Sequence, residues 1–221
     1  MSKQLILLSL FFTLLTGAVY AQDSTQLKSN FPDGLYFTYA NFIAGEPDLK
    51  WDEISGEMVQ LPEDFRLQVA DFRLKGSDTA PTIYAVCLDG FPYLFVKEDQ
   101  QLNYHEFAGL RLNGRYRYYE YTGKVKTDNV MYAYNPANGR PFRQGRVQRE
   151  KNVLHQFVLD LATGKTRVFD RPGVSEIVET DSDLLRAVTI LKPEDRELGL
   201  KLLQAIRIYN QRYPSQFNLP E

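Results

Sequence analysis

The stretch of residues 82–96, TIYAVCLDGFPYLFV, constrains the fold more than any other part of the sequence. Two apolar runs flank Asp89 and Gly90, a dipeptide that tolerates the positive φ angles of a tight turn, so the stretch predicts a β-hairpin. Nearly every position is apolar, which is typical of strands covered on both faces near the middle of a sheet. Pro92 cannot donate a ladder hydrogen bond, so we expect its strand to turn that position outward or to carry a bulge there.

The chain begins with the three regions of a secretory signal peptide. Lys3 is the basic start, residues 5–15 form an apolar run, and small residues end at Ala21. The run is too short to span the hydrocarbon layer of a membrane, which takes about 20 apolar residues of helix. We therefore predict a removable signal peptide at residues 1–21, followed by a flexible N-terminus at residues 22–30.

A single domain is expected at residues 31–221, β-rich over residues 31–172 and helical over residues 174–213. The chain has 26 basic and 28 acidic residues and a net charge of −2, which favours neither nucleic acid nor an anionic membrane as a partner. Its one cysteine, Cys87, allows no intramolecular disulfide. Because Cys87 lies in an apolar strand without a flanking basic residue to lower its pKa, we interpret it as a small buried side chain.

Short-range signals place the other β-elements. Thr38 is predicted to cap a short helix at residues 39–44, which Gly45 ends. A bulge is expected near Ala70 and Asp71, because the apolar alternation changes phase there. The remaining strands are predicted at residues 35–37, 57–61, 65–74, 129–134, 153–161 and 166–169.

Asn113 and Gly114 mark a second hairpin. A two-residue turn would oppose apolar and basic side chains on one face, whereas a three-residue loop pairs Leu110 with Tyr116. We prefer the three-residue loop.

From residue 174 the apolar period changes to three and four residues, which predicts amphipathic helices. Thr180 and Asp183 form a capping pair that can restart the first helix. Pro193 is placed at the start of the second helix, and Pro214 ends it. Two C-terminal helices after antiparallel strands predict an α+β fold, a curved, hairpin-rich antiparallel sheet whose face or edge the helices cover.

Three segments carry a resemblance: DGLYFTYANFIAGEP from Asp33, AYNPANGRPFR from Ala133 and YNQRYP from Tyr209. They resemble a group of exported proteins of unknown function from Bacteroidota-type bacteria. The resemblance implies export, and it implies neither an activity nor site residues.

The common catalytic and metal-binding motifs are absent from the sequence, including the nucleophile elbow, the zinc-protease helix, the phosphate-binding loop and the calcium loop. We interpret His105 as a surface or turn histidine in a loop or short helix, and His155 as an outward ring on a strand. No catalytic residue, metal site or cofactor is predicted. One alternative stays open, a hydrolase of an envelope polymer that uses Asp89 with Glu106 or Glu120 as a carboxylate pair.

Tyrosines and arginines interleave between residues 115 and 146. Flat rings beside guanidinium groups can stack on sugars or clamp carboxylated ligands, although tyrosine is also simply a good strand residue. The loop predicted at residues 135–146 is the best single site candidate, because binding sites are common on long loops of rigid sheets. The predicted ligand-binding residues are Tyr116, Arg117, Tyr118, Tyr134, Arg140, Phe142 and Arg143.

Together these features predict an exported cell-envelope protein, periplasmic or secreted, that binds a protein or a glycan without catalysis. Besides the hydrolase, a second alternative is a structural subunit that pairs through a sheet edge.

Overall fold

The computed structural model describes residues 31–75, 82–99 and 104–214, apart from the side chains of Phe72, Asp99 and Phe142. The predicted signal peptide at residues 1–21 and the predicted flexible N-terminus at residues 22–30 lie outside the described residues. The chain divides into two compact units. The ribbon unit is Glu120–Gln156, and the main unit takes the described residues of Met1–Tyr119 and Phe157–Glu221. The single-domain assignment of residues 31–221 stays a prediction.

A six-stranded antiparallel sheet forms the larger part of the main unit. The strands are β1 (Gly34–Tyr36), β2 (Ile54–Leu61), β3 (Arg66–Leu74), β4 (Ala85–Leu88), β5 (Phe91–Asp99) and β6 (Tyr104–Gly109). Their order in the sheet is β1-β4-β5-β6-β3-β2. The sheet is strongly curled and helices follow it at the C-terminus, so the predicted α+β fold is confirmed.

The predicted hairpin is confirmed as β4 and β5. Leu88 pairs with Phe91 across a two-residue turn in which Asp89 and Gly90 have φ angles of 54° and 72°. Both strands are interior to the sheet, and three consecutive residues of β4 are buried, so both of its faces are covered.

Pro92 needs neither of the two expected adjustments. It is buried opposite Cys87, a position next to the hydrogen-bonded pair at the turn, so its nitrogen points away from β4. On that side the ladder with β6 begins only at the following residue, Tyr93. The bulge of β5 lies farther along, between Phe95 and Lys97.

Two other local predictions are confirmed. Asp71 has a φ angle of 50°, and between the pairs Ser55–Arg73 and Glu57–Ala70, β3 contains one residue more than β2, which is a β-bulge. Helix α1 (Tyr39–Ala44) begins at Thr38, whose side chain accepts a hydrogen bond from the Asn41 N–H, and ends at a left-handed glycine. Two short 3-10 helices, Trp51–Glu53 and Pro62–Asp64, precede β2 and β3.

One face of the six-stranded sheet carries an apolar core. Partly buried residues of the connections, Trp51 and Leu49 among them, pack against this core. Its buried members are Leu35, Leu67, Val69, Ile83, Val86, Tyr93 and Phe107.

The second sheet has three strands in the order β7-β8-β9: β7 (Tyr116–Tyr134), β8 (Pro141–Asp160) and β9 (Thr166–Val168). The predicted hairpin between β8 and β9 is confirmed, with Leu159 opposite Thr166. The strand predicted at residues 129–134 is the end of a much longer strand.

The predicted loop at residues 135–146 is wrong in extent, because residues 141–146 belong to β8. Only residues 135–140 form a turn between β7 and β8. Their side chains close the turn, since Asn135 Oδ1 accepts a hydrogen bond from the Ala137 N–H at 2.9 Å and Asn138 Oδ1 accepts one from the Arg140 N–H at 3.0 Å. Pro141 is the first residue of its strand, where a proline is tolerated.

Three helices, and not the two predicted, end the described chain: α2 (Arg171–Ile177), α3 (Ser182–Thr189) and α4 (Leu198–Arg212). The predicted restart is a complete break, because Asp181, rather than Thr180, caps α3 by accepting a hydrogen bond from the Leu184 N–H. Helix α4 begins after a turn that contains Pro193, five residues later than predicted. No helix among residues 31–75, 82–99 and 104–214 is long and apolar enough to cross a membrane.

The helices cover the first residues of β7 and the last residues of β8 within the main unit. Tyr116 and Tyr118 of β7 and Val158 of β8 lie in one apolar cluster with all three helices. The helical members are Val174, Ile177, Leu184, Val188, Leu202, Ala205, Ile206 and Tyr209.

The connection from β6 to β7 contradicts both registers considered from the sequence. Arg111 forms an antiparallel bridge with Tyr118, and Leu110 does not pair with Tyr116. Asn210 of α4 explains the difference. Its amide accepts from the Tyr116 N–H at 3.1 Å and donates to the carbonyls of Asn113 and Tyr116 at 2.9 and 2.8 Å, so a helix side chain replaces a strand partner.

We expect Asn210→Ala to lower the free energy of unfolding by about 3 kcal/mol, because it removes three hydrogen bonds, one of them to a buried backbone N–H. Gln211→Ala is the matched control, since Gln211 is an exposed amide on the same helix, and it should change stability by less than about 0.5 kcal/mol. Urea unfolding of both variants measures the difference. Equal effects would show that the Asn210 bonds do not hold the connection.

Candidate functional site

The predicted ligand-binding residues divide between the two units. Tyr116 and Tyr118 are buried in the main unit, where the Tyr118 side chain is 2% exposed and its ring packs edge-on against Phe169 at 4.7 Å. The Tyr116 ring packs against Tyr209 at 5.7 Å. Both tyrosines therefore serve the core beneath the helices and present no surface to a ligand.

Arg117 lies between these tyrosines in sequence and points to the opposite face of β7. It is 5% exposed, and its guanidinium carbon lies 5.4 Å from the centre of the Phe31 ring. Its Nε atom has no hydrogen-bond partner. Burial lowers the pKa of Arg117 to about 10, and only the Cys87 thiol opposes this shift.

Arg115, the neighbouring arginine, is already engaged by a carboxylate. Its Nε and Nη2 atoms donate to the two oxygens of buried Asp160 at 2.7 and 2.8 Å. Burial by itself raises the pKa of Asp160, but the hydrogen bonds from Arg115, the Ala162 N–H and the Thr163 hydroxyl hold it below its usual range. This pair ties the start of β7 to the end of β8 within the main unit.

The remaining predicted residues lie in the ribbon unit. Tyr134 is 58% exposed, and Arg140 and Arg143 are also exposed. The side chain of Phe142 lies outside the described residues. Tyr132, which the prediction omitted, is 49% exposed, and its ring centre lies 6.4 Å from that of Tyr134, so the two rings share a face two residues apart on one strand.

Positive charge is concentrated in the ribbon unit. This unit has seven basic and three acidic residues, a net charge of +4, in a chain whose net charge is −2. A count of charge by segment would have revealed this surface from the sequence. The basic residues are Lys124, Lys126, Arg140, Arg143, Arg146, Arg149 and Lys151, and the acidic ones are Glu120, Asp128 and Glu150.

Side-chain contacts join the two strands at the base of the ribbon unit. The His155 ring stacks on Tyr121 with ring centres 5.2 Å apart, and a Cβ at Gly123 would lie 2.8 Å from that histidine ring. Gln156 donates to the Glu120 carboxylate at 3.1 Å. His155 thus lies on a strand, as predicted, and packs against its neighbours.

His105 was placed wrongly as a surface or turn histidine. It lies in β6 and is buried, with its ring 5.9 Å from Phe95. Burial lowers the pKa of His105, against an opposing effect of Glu98. The error arose because a single histidine in a polar stretch carries no signal of the strand pairing that buries it.

The carboxylate pair of Asp89 and Glu106 does not form a site. Glu106 is fully buried and makes ion pairs with Arg66 at 2.9 Å and Lys97 at 3.3 Å. It lies opposite Lys97 near the far end of β5 from the turn at Asp89, so the two carboxylates are roughly 20 Å apart at the usual rise of a strand. Glycosidases need a separation of about 5–9.5 Å. Glu120, the other proposed partner, belongs to the ribbon unit.

Cys87 is a buried free cysteine, as predicted. Its thiol donates to the Phe31 carbonyl at 3.2 Å, and burial, followed by the field of Asp33, raises its pKa. Among the described residues no group of three or more His, Cys, Asp and Glu side chains could hold a metal ion.

Comparisons with protein-family models, with curated proteins and with solved structures find no match to this chain. The site must therefore be interpreted from its own geometry. That geometry offers two places: the exposed, basic ribbon unit and the buried Arg117 of the main unit.

The pair of Arg115 and Asp160 predicts a pH dependence of stability. The folded-state pKa of Asp160 is below its unfolded value, about 3.9, so its contribution is present above pH 4 and is lost as the pH falls through the folded pKa. We expect Asp160→Asn to lower the free energy of unfolding by about 2–3 kcal/mol at pH 7. This is less than for a fully buried pair, because Arg115 is one-third exposed. The loss of stability should become progressively smaller below pH 4. Urea unfolding from pH 7 to pH 2.5 measures the effect, and Glu194→Gln, at an exposed carboxylate, is the control. An equal loss of stability in Asp160→Asn at pH 7 and at pH 2.5 would contradict a lowered pKa of Asp160 in the folded state.

Proposed function

We propose that the protein is an exported, non-catalytic binding domain that holds an acidic envelope protein on its ribbon unit. The observation that carries the proposal is the exposure of aromatic, aliphatic and basic side chains together on two strands. Export rests on the signal-peptide pattern of residues 1–21 and on the resemblance to exported proteins.

The charge of the ribbon unit favours an acidic partner. Four arginines, with exposed Tyr132 and Tyr134 close by in the sequence, supply planar donors and flat apolar rings, which suit carboxylate groups and apolar side chains. Within the described ribbon unit Lys124 forms an ion pair with Glu150 at 3.9 Å, and surface pairs of this kind contribute little to stability.

The aliphatic residues of the ribbon unit favour a protein over a glycan. Val130, Met131, Val147 and Leu154 are each about half exposed, and their burial is favourable mainly against other apolar side chains. A glycan offers hydroxyl groups to such residues, whereas a peptide with alternating acidic and apolar residues matches both the charges and the aliphatic groups.

The backbone of the ribbon unit also suits a protein partner. In the described part of the chain, β9 pairs only with residues 157–159 of β8, which belong to the main unit. The strand edges of the ribbon unit can therefore accept an added strand, a common mode of peptide recognition.

In the test, the full exported chain is titrated with an octapeptide of alternating glutamate and valine, and binding is measured by fluorescence anisotropy. We expect binding that weakens as salt rises and that falls at least tenfold in the double variant Tyr132→Ser/Tyr134→Ser, because the exposed rings are lost. An octapeptide of alternating lysine and valine should bind at least tenfold more weakly.

The matched control is Tyr213→Ser/Arg186→Gln, which changes an exposed tyrosine and an exposed arginine of the helices and should leave peptide affinity unchanged. Equal binding of the acidic and basic peptides, or unchanged binding in the Tyr132/Tyr134 variant, would refute the proposal. Tighter binding of polygalacturonate than of the acidic peptide would replace the protein partner by an acidic glycan. Concentration-dependent self-association by light scattering would instead support the structural subunit.

A further inference from the structure

Arg117 differs from the other buried charged groups of the described residues in having no charged partner. Glu106 pairs with Arg66 and Lys97, Asp160 pairs with Arg115, and Asp181 pairs with Arg212. No described carboxylate forms an ion pair with Arg117. Among the described residues its guanidinium lies over the face of the Phe31 ring.

The groups near Arg117 do not form an ion pair with it. Burial keeps the Cys87 thiol neutral by raising its pKa, and that thiol already donates to the Phe31 carbonyl. Asp33, whose field reaches Cys87, accepts a hydrogen bond from the Gly90 N–H at 2.8 Å in the β4–β5 turn.

A buried charge without a partner destabilises a folded protein. Folded proteins pair such charges, solvate them or use them to bind a ligand. Arg117 contributes one contact with an aromatic ring. A methionine of similar length would fill the same space without the desolvation cost. Residues that reduce stability in this way are typical of binding sites.

The geometry of Arg117 fits a carboxylate. The unpartnered Nε–H and the adjacent Nη–H form the edge of the guanidinium that binds the two oxygens of a carboxylate in parallel. A single cation balances a monoanion, whereas a phosphate dianion would bring in an uncompensated charge.

The surroundings of Arg117 fit a ligand with an apolar body. Phe31 is buried, and its ring stacks on Phe42 with centres 4.6 Å apart and an angle of 6° between the planes. Phe42 in turn contacts Tyr36 edge-on at 5.4 Å. The Phe31 ring therefore provides an apolar surface beside the guanidinium, with Phe42 and Tyr36 packed behind it.

We propose that Arg117 anchors a buried site in the main unit that binds the carboxylate of a small organic acid with an apolar or aromatic body. The site is independent of the ribbon unit and of any partner bound there.

Thermal unfolding of the full exported chain tests this site with benzoate, acetate and phosphate as probes and chloride at equal ionic strength as the reference. We expect benzoate to raise Tm by roughly 5 °C at a hundred times its Kd, acetate to act at higher concentration, and phosphate to match chloride. Titration calorimetry should show one benzoate per chain.

Two variants at position 117 separate binding from folding. Arg117→Met should be at least as stable as the native chain without benzoate and should lose the benzoate-dependent rise in Tm. Arg117→Lys keeps the charge but not the paired donors, so we expect at least tenfold weaker benzoate binding. Arg186→Gln, at an exposed arginine, should bind benzoate as the native chain does.

The site is refuted if benzoate raises Tm of the native chain no more than chloride does. It is equally refuted if Arg117→Met retains the benzoate-dependent rise, because the carboxylate then binds elsewhere. A larger rise with phosphate than with benzoate would contradict the carboxylate assignment.

Discussion

The alternation of side chains along β7 is the constraint on which the rest of the structure depends. Successive residues of a strand face opposite sides, so Tyr116 and Tyr118 enter the helical core while Arg117 points away from it. The first four residues of the strand are buried and the last seven are exposed. One strand therefore contributes to the core of the main unit, carries the buried arginine and continues into the ribbon unit.

Polar side chains fix this arrangement where backbone pairing ends. Asn210 satisfies three backbone groups between Asn113 and Tyr116, and a Cβ on Gly114 would lie only 2.8 Å from it. Asp160 holds Arg115 by two hydrogen bonds. Both sites use buried polar groups whose partners are complete, which costs little and specifies one geometry. The Arg117 Nε atom has no hydrogen-bond partner, and for this reason we propose that Arg117 binds a ligand.

Local signals in the sequence were sufficient for local structure. The turn at Asp89 and Gly90, the cap at Thr38 and the bulge at Asp71 all depend on residues close in the chain, and each was predicted correctly. The connection between β6 and β7 was not, because Asn210 is 94 residues from Tyr116. Tyrosine in a strand is equally compatible with a core and with a surface, so the burial of Tyr118 and the exposure of Tyr134 could not be told apart.

We propose that the ribbon unit is the part of the protein that contacts its partner, and hydrogen–deuterium exchange of the full chain tests that proposal most directly. With and without the acidic octapeptide, added protection should be confined to residues 124–151, where the basic and aromatic side chains are exposed. Protection confined to the helices or to the six-stranded sheet would contradict the assignment, as would a ribbon unit whose exchange is unchanged at saturating peptide.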